Sequence, residues 1–209
     1  MRIDEIFYSI QGEALFSGWP TVFVRLTGCP LRCAYCDTAY AFAGGEWWGF
    51  DDILAEVARY DTKYVCVTGG EPLAQPRCLA LLSALCDSGY QVSLETGGAL
   101  DVSAVDARVS RVVDVKTPGS GEAERNRWEN LELLTERDAV KLVICDRRDY
   151  RWARAALSQR IDVPCPVFLS PASGTLAAGT LAEWMLEDRL AARLQVQLHK
   201  VLWGDTPGR

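Results

Sequence analysis

The chain has one histidine and two methionines, and it carries no excess of basic charge: 22 Lys and Arg stand against 28 Asp and Glu, a net charge of -6. Such a balance does not neutralise phosphates by default, so the expected ligand is a small molecule and not a nucleic acid. Nowhere do eighteen apolar residues follow one another, which leaves no membrane-spanning helix to expect. Arg2, Asp4 and Glu5 break up any signal-peptide core, so a cytoplasmic protein is expected. No repeat, low-complexity tract or Gly/Pro/Ser-rich linker marks a boundary. With 209 residues, 49% of them hydrophobic and 24% charged, a single packed domain over 1–209 is expected.

Cysteine is what the chain does have, eight in all. Three fall in the short stretch Cys29-Pro-Leu-Arg-Cys33-Ala-Tyr-Cys36, a C-x3-C-x2-C spacing. Clustered cysteines without a secretory signal point to metal or redox chemistry before disulfides. Three thiolates on one loop can hold three corners of an iron–sulfur cube and leave one iron open. Zinc is the rival, with Cys66 or His199 as a fourth ligand, but structural zinc sites usually pair two C-x2-C knuckles and a second is missing. A ferredoxin-like carrier needs a fourth cysteine at short spacing, and none follows Cys36. Cys66, Cys78, Cys86, Cys145 and Cys165 are scattered, mostly in apolar stretches, and read as small hydrophobes.

Short β-branched runs alternate with amphipathic segments, the mark of βα units around a mainly parallel sheet. Strands are expected at 21–26, 64–68, 91–95, 111–115, 140–145 and 167–169, with a last one near 194–198. Apolar spacing places helices over 51–60, 75–88, 150–159 and 180–190, and a further one over 127–134. The fold class is therefore α/β, and the unusual segments all follow strands. The cysteine loop follows the first, Thr68-Gly69-Gly70-Glu71-Pro72 the second, Glu95-Thr96-Gly97-Gly98 the third, Lys116 and the loop Thr117-Pro118-Gly119-Ser120-Gly121 the fourth. Ser170-Pro171-Ala172-Ser173 and Gln197-Leu198-His199-Lys200 close later ones. In barrel-like α/β folds the loops at that edge converge on one mouth. Taken singly, each glycine pair is an ordinary strand-ending turn.

The cysteine spacing, with the aromatic Tyr35 before the last cysteine, resembles the radical S-adenosylmethionine superfamily, and Thr68-Gly69-Gly70-Glu71-Pro72 resembles its second motif. Within it, Glu5-Ile6-Phe7-Tyr8-Ser9-Ile10-Gln11-Gly12-Glu13, Cys36-Asp37-Thr38, Glu95-Thr96, Asp114-Val115-Lys116-Thr117-Pro118 and Gln197-Leu198-His199-Lys200 are similar to the 7-carboxy-7-deazaguanine synthase family. The resemblance implies an incomplete TIM-like barrel of about six βα units and a ring contraction of 6-carboxy-5,6,7,8-tetrahydropterin to 7-carboxy-7-deazaguanine with loss of ammonia. It implies a [4Fe-4S] cluster on Cys29, Cys33 and Cys36, S-adenosyl-L-methionine on the open iron, and Mg2+ at Thr38. Cofactor contacts carried over are Tyr35, Cys36, Asp37, Gly70, Glu71, Glu95, Lys116, Thr117, Pro118, Ser170 and Pro171. Substrate contacts are Ile10, Gln11, Gly12, Glu13, Arg25, Thr68, His199 and Arg209, the last through its backbone carboxylate. A one-electron donor such as flavodoxin and a homodimer are implied in the same way. Arg25 on a buried strand needs a partner, either the substrate carboxylate or, internally, Glu13 or Asp37. Another radical S-adenosylmethionine enzyme, such as a glycyl-radical activase, would share the cysteines and Gly69 to Pro72. Two positions depart from the family pattern: Ala14 stands where glycine is common and Gly97 where asparagine is frequent.

Overall fold

The β-branched runs pair into one sheet. The computed structural model describes residues 1–204, Thr206 and Gly208, so Arg209 lies outside the described residues. In chain order the elements are β1 (Arg2–Ile10), β2 (Pro20–Leu26), β3 (Glu46–Trp47), α1 (Phe50–Val57), β4 (Tyr64–Gly69), α2 (Cys78–Asp87), β5 (Gln91–Thr96) and β6 (Ser110–Asp114). There follow β7 (Ala139–Ile144), α3 (Arg147–Gln159), β8 (Val167–Pro171), α4 (Ala178–Glu187), β9 (Arg193–Leu194) and α5 (Leu198–Trp203). The sheet order is β3-β1-β2-β4-β5-β6-β7-β8-β9. From β2 to β9 every neighbouring pair is parallel, while β1 runs antiparallel to both β2 and β3. No helix among the described residues is long and apolar enough to cross a membrane.

Several elements differ from the sequence expectation, among them the short β3 and α5, which were not expected. No strand was expected before residue 21, yet β1 is the longest in the sheet; Asp4 and Glu5 interrupt its apolar run, and a register shift between Ile3 and Glu5 breaks its period-two pattern. The last strand ends at Leu194 and does not reach Leu198, because the Leu198 amide donates to Gly12 O at 3.1 Å and the chain turns into α5. The helix expected over 127–134 is a 3-10 turn, Trp128–Leu133. It is set by the buried Asn130, whose amide donates to Gly98 O and Leu100 O and whose oxygen accepts from Val102 N. That tether holds the irregular crossing from β5 to β6 in place of a helix.

Alternation along the parallel strands sorts two faces. Val22, Val24 and Leu26 of β2, Val65 and Val67 of β4, and Val92 and Leu94 of β5 pack with Ile53 and Val57 of α1 and with Leu81, Leu82 and Leu85 of α2. Val113, Val140, Leu142, Ile144 and Leu169 do the same with Tyr150, Ala153 and Ala156 of α3 and with Leu181 and Met185 of α4. The interleaved residues face the other way. Their lower members, Val112, Ala139 and Phe168, close over Ala14 in a small apolar cluster. Their upper members are polar and line the cavity described below.

At the opposite end of the strands one buried ion pair pins β6 to β7. Asp138 is fully buried and receives Arg111 N, Nε and Nη2 at 2.7, 3.2 and 2.7 Å, besides the Thr135 amide and hydroxyl. Burial works against its charge, but the bonds from Arg111 and Thr135 hold the carboxyl below its ordinary value. Its stabilisation is therefore full above the unfolded-state carboxylate range and fades as pH falls through the lower folded value. Asp138→Ala strands the Arg111 guanidinium, and urea unfolding at neutral pH is expected to show a loss of about 3–5 kcal/mol, shrinking on acidification.

Candidate active site

The loops at the C-terminal strand ends enclose a cavity of about 500 Å³. The β1 side contributes Ile10, Gln11 and Glu13, and β2 and its loop contribute Arg25, Cys29, Cys33, Tyr35, Cys36, Asp37 and Thr38. Thr68 and Gly70 come from the end of β4, Glu95 from β5, Lys116 from beyond β6, Ser170 and Pro171 from β8, and His199 from α5. His199 thus reaches the cavity from a helix and not from a strand end. Gly12, Glu71, Thr117 and Pro118 stand behind the wall. Glu71 is buried and receives the Leu73 and Gly97 amides and the Thr96 hydroxyl; burial pushes its carboxyl up against these bonds. The Thr117 hydroxyl bonds Val143 O at 2.8 Å and Asp149 at 3.1 Å, and Pro118 opens the turn Pro118–Ser120.

The cysteine loop is held by backbone from two sides, the Gly70–Glu71 segment and Ser120. Leu26 O accepts from Gly70 N at 3.0 Å, Gly28 O from Glu71 N at 2.7 Å, and Ser120 O from Ala34 N at 2.9 Å. A Cβ on Gly70 would drive into the Gly28 carbonyl, so glycine is required for this approach of the two loops. On the far side a Cβ on Gly12 would strike the His199 ring, which packs directly over that backbone. Ala14, at the position where the family pattern has glycine, adopts φ 55°. That conformation costs about 1–2 kcal/mol for a residue with a side chain, and its methyl is buried against Val112, Ala139 and Phe168 in partial offset.

Charges meet in the cavity in linked pairs. Arg25 donates through Nε to Glu5 at 2.7 Å and lies over the rings of Phe7 and Tyr40, so its internal partner is Glu5 and neither Glu13 nor Asp37. Glu95 fixes two neighbours, receiving Gln11 Nε2 at 3.2 Å and the Thr68 hydroxyl at 2.9 Å. Lys141, which sequence reasoning passed over, binds Glu13 at 2.6 Å and faces Asp114 at 3.8 Å; Lys116 takes the same Asp114 oxygen at 2.8 Å. Gln197 donates to Glu13 at 2.8 Å and to Asp37 at 3.3 Å, and Lys200 pairs with Asp37 at 3.2 Å. A signal was present: a lysine amid Ala139-Val140-Lys141-Leu142-Val143 is as anomalous on a covered strand as Arg25.

The residues fit the groups the resemblance implies. The eight cysteines are free, and Cys29, Cys33 and Cys36 sit half-buried on the cavity wall. Burial pushes the Cys29 and Cys33 thiols up, so loading a cluster there must release protons. Cys66, by contrast, is fully buried in mid-β4 with its thiol raised well up by burial. Among the described residues no group of three or more His, Cys, Asp or Glu is placed to hold a single metal ion. Three buried polar atoms of cavity residues, Tyr35 Oη, Asp114 Oδ1 and Ser170 Oγ, lack a partner among the described residues. Buried polar atoms are ordinarily satisfied, so these three suit a wall that adjusts around a bound polar group beside the cysteine loop.

Residues 23–115, which contain the cysteine loop and Gly69 to Pro72, match the Radical SAM superfamily. A curated 7-carboxy-7-deazaguanine synthase of Chlorobaculum tepidum is 47% identical over 207 residues, covering 97% of this chain and 94% of its own. That of Koribacter versatilis is 43% identical over 219 residues, covering 97% of each. The crystal structure of QueE from Escherichia coli superposes with a TM-score of 0.77 at 27% identity, over 95% of this chain and 94% of the other. A likeness that runs almost end to end, through the loops that build this cavity, admits one conclusion: the chain belongs to the 7-carboxy-7-deazaguanine synthase family of the radical S-adenosylmethionine superfamily.

Proposed function

We propose that this chain converts 6-carboxy-5,6,7,8-tetrahydropterin to 7-carboxy-7-deazaguanine with loss of ammonia, a step towards queuosine and other 7-deazapurines. The observation that carries the reading is that the three-cysteine loop opens on the same cavity as the ion-paired Glu13 and Arg25 and the Glu95 carboxylate. The name borne by its relatives supports it. We read the parallel part of the sheet, six strand pairs long, as an incomplete barrel in a single domain.

Cys29, Cys33 and Cys36 would hold a [4Fe-4S] cluster, which with S-adenosylmethionine on its open iron would supply one-electron radical chemistry to the bound pterin. The chain's own residues bind and orient. Tyr35, Asp37, Lys116 and Ser170, with Pro171 beside them and Thr117 and Pro118 behind, flank the adenosyl end; Gly70 lets the backbone come close. Glu5 holds Arg25 by Nε and leaves its terminal nitrogens for the substrate carboxylate, a charge-assisted fork. Glu95 orders Gln11 and Thr68 as readers of the pterin edge. Phe7, Phe23 and Tyr40 line the cavity with aromatic surface that excludes water from a reaction that water or a loose hydrogen donor would quench.

Mg2+ belongs to the same reading. The Thr38 hydroxyl lies 2.9 Å from Asp37 Oδ1, and a hard cation takes such oxygen donors. A flavodoxin-like one-electron donor, a homodimer and a cytoplasmic setting complete the proposal.

Anaerobically reconstituted protein given the carboxy-tetrahydropterin, S-adenosylmethionine and a reductant is expected to release 7-carboxy-7-deazaguanine and ammonia in equal amounts. If no deazaguanine forms while the reduced protein cleaves S-adenosylmethionine, the substrate assignment fails. Arg25→Met removes the carboxylate fork, worth about 1.5–3 kcal/mol for bonds to a charged group. Steady-state kinetics are then expected to show KM for the pterin raised by roughly 10- to 100-fold.

A further inference from the structure

Lys141 carries a charge that neither the cluster nor S-adenosylmethionine explains. It projects from the middle of β7 into the cavity with its side chain only 14% exposed. Its register partner on β6 is Asp114, so the two side chains stand side by side on the inward face. Its ammonium nevertheless sits nearer to Glu13, at 2.6 Å against 3.8 Å for Asp114 Oδ2, which Lys116 already holds. Glu13 is itself buried, and both its oxygens are engaged: Oε2 by Lys141 and Oε1 by the Gln197 amide at 2.8 Å. The same Gln197 amide reaches Asp37, next to the last cluster cysteine. One lysine thus anchors a chain of contacts from β7 through the Gln11 to Glu13 loop to the segment before α5 and the end of the cysteine loop.

We propose that Lys141 is the positioning residue of the substrate pocket, holding Glu13 ionised and in place so that its carboxylate accepts from the N–H donors of a pterin. The inference rests on the pterin reading above. A buried carboxylate without its counter-ion takes a proton or swings away, and either change removes the acceptor. The groups facing Glu13 are Lys141 from β7, Gln197 just before α5 and His199 from α5, while Asp114 from β6 and Glu95 from β5 face Lys141 in turn. Burial opposes the charge of Glu13, yet Lys141 and the Gln197 bond hold its carboxyl below the ordinary value; burial likewise opposes the Lys141 charge, and Glu13 and Asp114 hold that ammonium well above its own.

The test is a double-mutant cycle of Lys141→Met and Glu13→Gln, read by equilibrium binding of the carboxy-tetrahydropterin without reductant and by steady-state kinetics. Lys141→Met is expected to weaken binding and raise KM by about 10- to 100-fold with kcat within about threefold, the pattern of lost uniform binding. Its kcat/KM is expected to recover as pH rises, because Glu13 without Lys141 ionises only at higher pH. In the Glu13→Gln background the same substitution is expected to change binding less than about threefold. The double variant carries no stranded charge, so its melting curve separates a folding defect from a binding one. A Lys141→Met protein that binds and turns over like the wild type overturns the inference. So does an undiminished effect in the Glu13→Gln background, which would make Lys141 act on the ligand by itself. A wild type that fails to bind the pterin at all instead removes the underlying substrate reading.

Discussion

A charge on the inward face of a covered strand must be paired where it stands, since an unpaired buried ion costs several kcal/mol. That constraint organises both ends of the parallel sheet. At one end Arg111 and Asp138 close on each other and serve stability alone. At the other, Arg25 with Glu5, Lys141 with Glu13, and Lys116 with Asp114 are paired but incompletely spent, since Asp114 Oδ1 keeps an unused acceptor position. Pairing offsets the cost of holding these groups inside a cavity of low dielectric.

The cysteine loop depends on the same strand ends. It is short and rich in turns, and it has no regular structure of its own between Gly28 and Thr38. Its position comes from backbone bonds to the Gly70–Glu71 segment and to Ser120, and from the Asp37 contacts with Gln197 and Lys200. A cluster seated on it is therefore registered against the cavity floor by rigid elements, as a site for short-lived radical chemistry requires. Gly12 and Gly70 serve this closeness in the same way, each giving up a side chain so that another loop can lie against its backbone.

Much of this was legible beforehand. The C-x3-C-x2-C spacing, the glycines after β4 and the alternation of short strands with helices carry strong local signals, and α1 to α4 fall within a few residues of their apolar patterns. What escaped depends on partners far away in sequence. β1 hides behind Asp4 and Glu5, and the Glu5 side chain serves Arg25 and Tyr40 and not the core. The end of β9 is set by Gly12, more than 180 residues away, and no local pattern announces that. Arg25 and Lys141 are single charges in apolar runs, and only the register of the sheet gathers them with Thr68, Glu95 and Asp114 into one polar layer. Glu5 as the partner of Arg25, and Lys141 as that of Glu13, are visible only once β1 and β7 are placed.

The central claim is that three cysteines on this loop hold a cube with one iron left for S-adenosylmethionine. Electron paramagnetic resonance of the reduced, anaerobically reconstituted protein tests it most directly, alongside iron and sulfide analysis. The account predicts iron and acid-labile sulfide in equal amounts and a cluster signal that changes when S-adenosylmethionine is added. Zinc without acid-labile sulfide, or a cluster signal indifferent to S-adenosylmethionine, would contradict it.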